Sequence, residues 1–195
     1  MDVSPIELRV VGCLVEKQRT TPDQYPLSLN AVRLACNQAT NRDPVVAYDE
    51  HEIREALTRL GNRGWTRLAS GPGSRAAKFR HLLDDALGLD RGELALLAVL
   101  ILRGQQTAAE LRQRSERLHR FGSVPEVEQV LEELARRELA ERQPRRPGEH
   151  AERWRHLLGG EQPAAPAVAA AVAPSSSLEE RVARIEAALE RAGLL

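Results

Sequence analysis

The side chains best suited to nucleophilic, acid–base or metal chemistry are few and scattered. His51, His81, His119, His150 and His156 are dispersed along the chain, none at ligand spacing from a cysteine. Cys13 and Cys36 stand 23 positions apart with no C-x-x-C motif, so they read as buried, reduced thiols. Asp23 and Tyr25 share a loop, but nothing supplies a base at a defined spacing. G-x-S-x-G, P-loop, H-E-x-x-H and glycine-rich dinucleotide patterns are all missing. The residue types therefore predict no enzyme, no metal site and no cofactor.

Binding chemistry is better represented. Lys17 and Lys78 are the only lysines among 28 cationic residues, and 28 acidic residues balance them. Arginine suits phosphate contacts, although so one-sided a preference is better explained by genome composition. Arg54, Arg59 and Arg63 fall on a predicted third helix. Arg75, Lys78 and Arg80 fall on a first predicted hairpin, and Arg145 and Arg146 on a second. These eight are the candidate contacts to double-stranded DNA. Arg112, Arg114, Arg117 and Arg120 nearly form a stripe, partly offset by Glu110 and Glu116. Against DNA, the helices expected to read bases begin Asp49-Glu-His-Glu52 and Val124-Pro-Glu-Val-Glu128. Carboxylates favour a helix N-terminus, but facing phosphates they repel.

Helix starts position these residues. A capping residue followed three places later by glutamate recurs at Ser4, Asp49, Asp90, Thr107, Ser123 and Ser177. The spacing predicts helices over about 5–17, 29–37 and from Asp49 to a close at Gly61 and Gly64, then a hairpin made by 65–70 and 75–81. Three helices followed by a hairpin is the winged-helix order.

The order then repeats, with helices near 91–103, 107–119 and 124–138 and a wing tip at 144–148. Phe79-Arg-His-Leu-Leu83 is matched by Trp154-Arg-His-Leu-Leu158, and Glu7-Leu8 by Glu93-Leu94. Such echoes in one order indicate duplication. The equivalence of His81 and His156 favours a structural role for both.

The expected class is therefore mainly α with small β-hairpin wings. Its parts are a winged-helix unit at 1–84, a second at 85–159, an Ala/Pro-rich linker at 160–177 and an amphipathic helix at 178–195. Leu94–Leu102 is apolar on every side, so both of its faces must be covered, by the first unit or by a second copy. Leu178, Val182, Ile185 and Leu189 follow a coiled-coil seam, the candidate dimer helix. The N-terminus has no cationic or apolar leader pattern and no segment is long enough to span a bilayer. A cytoplasmic location and no membrane partner are the expectations.

The most distinctive wording lies in Thr20–Val45. Glu16-Lys-Gln18, Thr21–Asn30, Ala35-Cys-Asn-Gln38, Asn41-Arg-Asp-Pro44, Gly73-Ser-Arg75 and Arg114–Phe121 resemble the bacterial YceH family. The resemblance covers roughly 4–158. It implies a tandem winged-helix fold and brings no catalytic or ligand residues. The second repeat lacks counterparts of Thr20–Pro26 and Asn41–Pro44, so the fold does not demand them. Asp23, Gln24, Tyr25, Asn30, Asn37, Gln38, Asn41 and Arg42 form a candidate recognition surface. The alternative is that its polar residues merely fix two long turns, the better reading for the asparagines. Two functions remain: a DNA-binding regulator, preferred by analogy of fold, and a protein-interaction or homodimer scaffold without DNA readout.

Overall fold

The computed structural model describes residues 3–69, 77–145, 148 and 151–159. Helix α1 (Pro5–Thr20) starts at a capping box between Ser4 and Glu7. It runs past the expected Lys17, because the Thr20 hydroxyl donates to Glu16 O and the Thr21 N–H to Lys17 O, both at 3.0 Å. One 3-10 turn (Pro22–Gln24) leads to strand β1 (Leu27–Ser28) and helix α2 (Leu29–Cys36), which Ser28 caps. Helix α3 (Glu50–Asn62) follows, with Asp49 and Glu52 as a second capping box. Strands β2 (Thr66–Leu68) and β3 (Lys78–His81) form the first wing. β3 lies between β1 and β2, both antiparallel to it.

A short helix α4 (Leu83–Leu87) ends on Gly88 in the left-handed region and joins the repeats. Helix α5 (Arg91–Arg103), helix α6 (Ala108–Ser115), helix α7 (Val124–Arg136) and the antiparallel strands β4 (Ala140–Gln143) and β5 (Arg153–His156) complete the second repeat. The architecture is mainly helical with small antiparallel hairpins, an α+β winged-helix-like arrangement. Strand β1 and helix α4 were not expected. Helix α6 stops short of the expected 119, because Ser115 O accepts the N–H groups of both Leu118 and His119 in a tight turn.

Duplication extends to backbone pairing. Leu27 pairs with Phe79 in the first repeat, and Gln106 bridges to Trp154 at the matching place in the second. Leu82 N–H donates to Trp65 O, as Leu157 N–H donates to Leu139 O. The shared Phe/Trp-Arg-His-Leu-Leu wording thus marks one strand used twice, between the same two neighbours.

Both repeats belong to one compact unit, Met1–Gln162. Its centre is the contact between the repeats' first helices. Residues Glu7–Val15 of α1 and Gly92–Leu102 of α5 are buried all round. A Cβ on Gly12 would stand 2.9 Å from Ile101 Cγ2 and 3.1 Å from Leu102 Cδ2. The apolar face of α5 is therefore covered within the chain, and it no longer argues for a second copy.

Candidate functional site

The Thr20–Val45 stretch folds as α2 and its two flanks, with cis bonds at Tyr25–Pro26 and Asp43–Pro44. Asp23 and Gln24 are exposed on the 3-10 turn. Tyr25 is half-buried, and its hydroxyl accepts the His81 N–H at 2.8 Å. Burial pushes its phenol up to about 12. Asn30 stays exposed and accepts from Arg33 at 2.9 Å. Asn37 holds Tyr48 by both backbone groups, Nδ2 donating to its carbonyl at 2.7 Å and Oδ1 accepting its N–H at 3.0 Å. Gln38 accepts from Lys17 and donates to Thr40 O. Asn41 takes φ 60° and accepts from Arg103.

Arg42 departs most from expectation. Placed on the candidate recognition surface by its polar neighbourhood, its side chain is in fact 0% exposed. Nη1 and Nη2 donate to the Glu16 carboxylate at 3.1 and 2.6 Å, and Nε and Nη2 reach Ala35 O at 3.2 and 3.1 Å. A helix leaves its last carbonyls without partners, and Arg42 satisfies one while neutralising Glu16. Burial alone would raise the Glu16 pKa, but Arg42 and then Lys17 outweigh it and hold the carboxyl below its ordinary value. Arg42 is a structural cation, unavailable to a partner.

Beside it lies a cluster that sequence reasoning missed. Arg9 is buried, with Nη2 donating to Pro44 O at 2.6 Å and Nη1 finding no acceptor among the described residues. One turn along α1, Cys13 Sγ donates to the same Ala35 O at 3.3 Å. Cys13 and Cys36 are both fully buried, and the carbonyl that Cys13 Sγ reaches belongs to the residue directly before Cys36. A cation four places before a cysteine, on one helix face, was the available signal.

The candidate DNA contacts divide differently. On α3, Arg54 pairs with Glu50 at 2.7 Å, and Arg59 with Glu55 at 3.4 Å and Glu7 at 3.6 Å. Arg63 lies over the Trp65 ring, 5.6 Å from its centroid. On the wings, Lys78 and Arg145 are exposed and Arg80 is half-buried. Arg75 and Arg146 lie outside the described residues, as do Leu178, Val182, Ile185 and Leu189. The α6 stripe is partly used internally: Arg112 donates to Phe121 O and Gly122 O, and Arg114 to Gln106 Oε1. Helix α7 exposes Glu128 and Glu132, and its Arg136 pairs with Glu133.

His81 and His156 are buried at equivalent strand ends. The Leu83 N–H donates to His81 Nδ1 at 3.3 Å and Nε2 lies 2.8 Å from Gln18 Oε1, which fixes a neutral ring protonated on Nε2. Burial first, then neighbouring arginines, lower both rings to about 4, with Asp84 and Asp85 opposing at His81. Among the described residues no three His, Cys, Asp or Glu side chains gather to hold a metal ion, and no helix is long and apolar enough to cross a membrane.

Fold and site together define a duplicated winged-helix-like protein with a sealed polar cluster under its second helix. A family model described as "Protein of unknown function, DUF480" matches residues 3–149, and the chain belongs to that family. It is 48% identical over 194 residues to a UPF0502 protein of Dechloromonas aromatica, covering 95% of this chain and 90% of the relative. A UPF0502 protein of Geotalea daltonii is 51% identical over 165 residues, covering 83% and 75%. One from Serratia proteamaculans is 45% identical over 192 residues, covering 95% and 89%.

Proposed function

We propose that the two repeats form a protein-binding device whose third helices face a partner protein and not a DNA groove. One observation carries this reading: the solvent faces of α3 and α7 present carboxylates, and their arginines are held by those carboxylates. Glu50, Glu52 and Glu55 stand exposed beside Arg54 and Arg59, and Glu128 and Glu132 are exposed on α7. Arg142 of β4 is shared between Glu132 and Glu152. A groove-reading helix brings its first turns between two rows of phosphates, where Glu50, Glu52 and Glu128 would repel. Under this reading the chain acts by binding and catalyses no reaction, and residues 178–195 supply association between copies.

The DNA reading keeps support from the wings, where Lys78 and Arg145 are exposed. Titration of random-sequence duplex at low salt separates the two. The protein-binding reading expects no saturable, salt-sensitive binding. Binding that falls steeply with salt, and weakens in Lys78→Ala with Arg80→Ala, would overturn it in favour of DNA. A photo-crosslinker at Gln129 should capture a partner in cells, and Glu128→Lys with Glu132→Lys should abolish that product. Sedimentation should show a concentration-dependent dimer that weakens when 178–195 are deleted.

A further inference from the structure

We propose that Cys13 and Cys36 are a reversible dithiol–disulfide site, oxidised by hydroperoxides and sealed by Arg42. The geometry comes first. Cys13 Sγ is 3.3 Å from Ala35 O, the carbonyl of the peptide bond that supplies the Cys36 nitrogen. That oxygen is also where Arg42 Nε and Nη2 converge, at 3.2 and 3.1 Å. The sulfur of α1 is thus held against the last turn of α2; ionisation of Cys13 gives up its S–H donation to that oxygen, which Arg42 continues to satisfy.

The surrounding charge makes Cys13 the nucleophile. Arg9 occupies the preceding turn of α1, is buried, and has an Nη1 without an acceptor among the described residues. An unbalanced buried guanidinium is costly, and a thiolate at Cys13 is the available counter-charge. Burial by itself raises the Cys13 thiol, but a hydrogen bond from Cys36 and the charge of Arg42 outweigh it and leave it below its ordinary value. Cys36 is pushed well above its ordinary value, by that hydrogen bond first and by burial second. One thiol is prepared to attack and the other to keep its proton until needed, the division that a redox pair requires.

The chemistry balances with hydrogen peroxide as oxidant. The Cys13 thiolate attacks one peroxide oxygen, the S–O bond forms, the O–O bond breaks, and hydroxide leaves as water with a proton from solvent. Cys36 sulfur then attacks Cys13 Sγ of the sulfenic acid. The S–S bond forms, the S–O bond breaks, and the departing oxygen takes the Cys36 proton as a second water. Two thiols lose two electrons and one peroxide becomes two waters.

Both sulfurs are fully buried, so reaction requires local opening. The segment that carries Arg42 is where we place that opening. From residue 39 to residue 45 every side chain is exposed except Arg42, so Arg42, held to Glu16 and Ala35 O, is the segment's one buried side-chain anchor, beside the ties of Pro44 O to Arg9 and of Asp43 N–H to Leu102 O.

The test treats full-length protein with millimolar hydrogen peroxide and follows intact mass and a non-reducing peptide map. The expected product has lost two hydrogens, contains a Cys13–Cys36 linked peptide, and reverts with dithiothreitol. Cys36→Ala should instead accumulate a sulfenic acid on Cys13, trapped by dimedone, whereas Cys13→Ala should leave Cys36 unmodified. Glu16→Gln, with its fold checked by circular dichroism, loosens the Arg42 tie but leaves the guanidinium charge beside Cys13, and should oxidise several-fold faster; Arg42→Gln removes the tie and the charge together and should gain less than Glu16→Gln. Two unmodified thiols in folded wild type, both reactive after denaturation, would overturn the site. A sulfenic acid on Cys36 in Cys13→Ala would overturn the assignment of the nucleophile, and a disulfide only between chains would overturn the pairing.

Discussion

Arg42 and Glu16 meet through two hydrogen bonds, 2.6 and 3.1 Å, with the arginine side chain wholly shielded from solvent and the glutamate 14% exposed. The pair ties the loop after α2 to the last turns of α1, 26 residues earlier. Removing Glu16 leaves Arg42 buried and unmatched, which costs about 3–5 kcal/mol, whereas removing Arg42 leaves Glu16 with Lys17 still 3.3 Å away. Glu16→Ala should lose that much in urea unfolding, Arg42→Ala should also be destabilised, and the double variant should lose less than the sum. Additive losses in the double-mutant cycle would refute the coupling.

Asn37 performs a smaller version of the same task, closing the loop by taking the N–H of Tyr48 and donating to its carbonyl. Asn37→Ala strands both backbone groups, each half-shielded, at a cost of roughly 1–3 kcal/mol. Asn37→Asp retains the acceptor and loses the donor, so its midpoint in denaturant should fall between wild type and Asn37→Ala.

Gly12 sets how closely the two repeats approach. Replacing glycine inside a helix normally helps by about 1 kcal/mol with alanine, but here the new Cβ meets Ile101 Cγ2 at 2.9 Å. Overpacking of a filled core costs roughly 1–3 kcal/mol, so Gly12→Ala should be neutral to mildly destabilising and Gly12→Val clearly worse. Thermal unfolding measures both, and a Gly12→Val protein as stable as wild type would refute close packing at this seam.

These positions show what local wording conveys. Helix starts were legible because a capping box is complete within four residues, as Asp90–Glu93 and Thr107–Glu110 confirm. Duplication was legible because Phe79 and Trp154 sit in equivalent strands. The burial of Arg42 was not, since Glu16 is 26 positions away and nothing local distinguishes this arginine from an exposed one. Strand β1 was hidden by its length of two residues, and its partner β3 lies some 50 positions on. The thiol–arginine cluster was half visible: Arg9 and Cys13 share a helix face by spacing, but only folding brings Cys36 and Arg42 to them.

The buried histidines make a prediction about pH. His81 and His156 have folded pKa values lowered to about 4 from 6.5, mainly by burial. Below pH 6.5 the unfolded chain takes up protons that the folded chain refuses, so stability falls as acidity increases, down to pH 4. At about 1.4 kcal/mol per pH unit, each ring should remove roughly 2 kcal/mol between pH 6.5 and 5. That window lies above the ordinary glutamate range, so the depressed carboxyls of Glu16 and Glu110 add their own loss only at lower pH. His81→Gln, folded at pH 7, should show about half the wild-type slope in urea unfolding across the window. A wild-type stability flat from pH 6.5 to 5 would show that neither ring is held neutral.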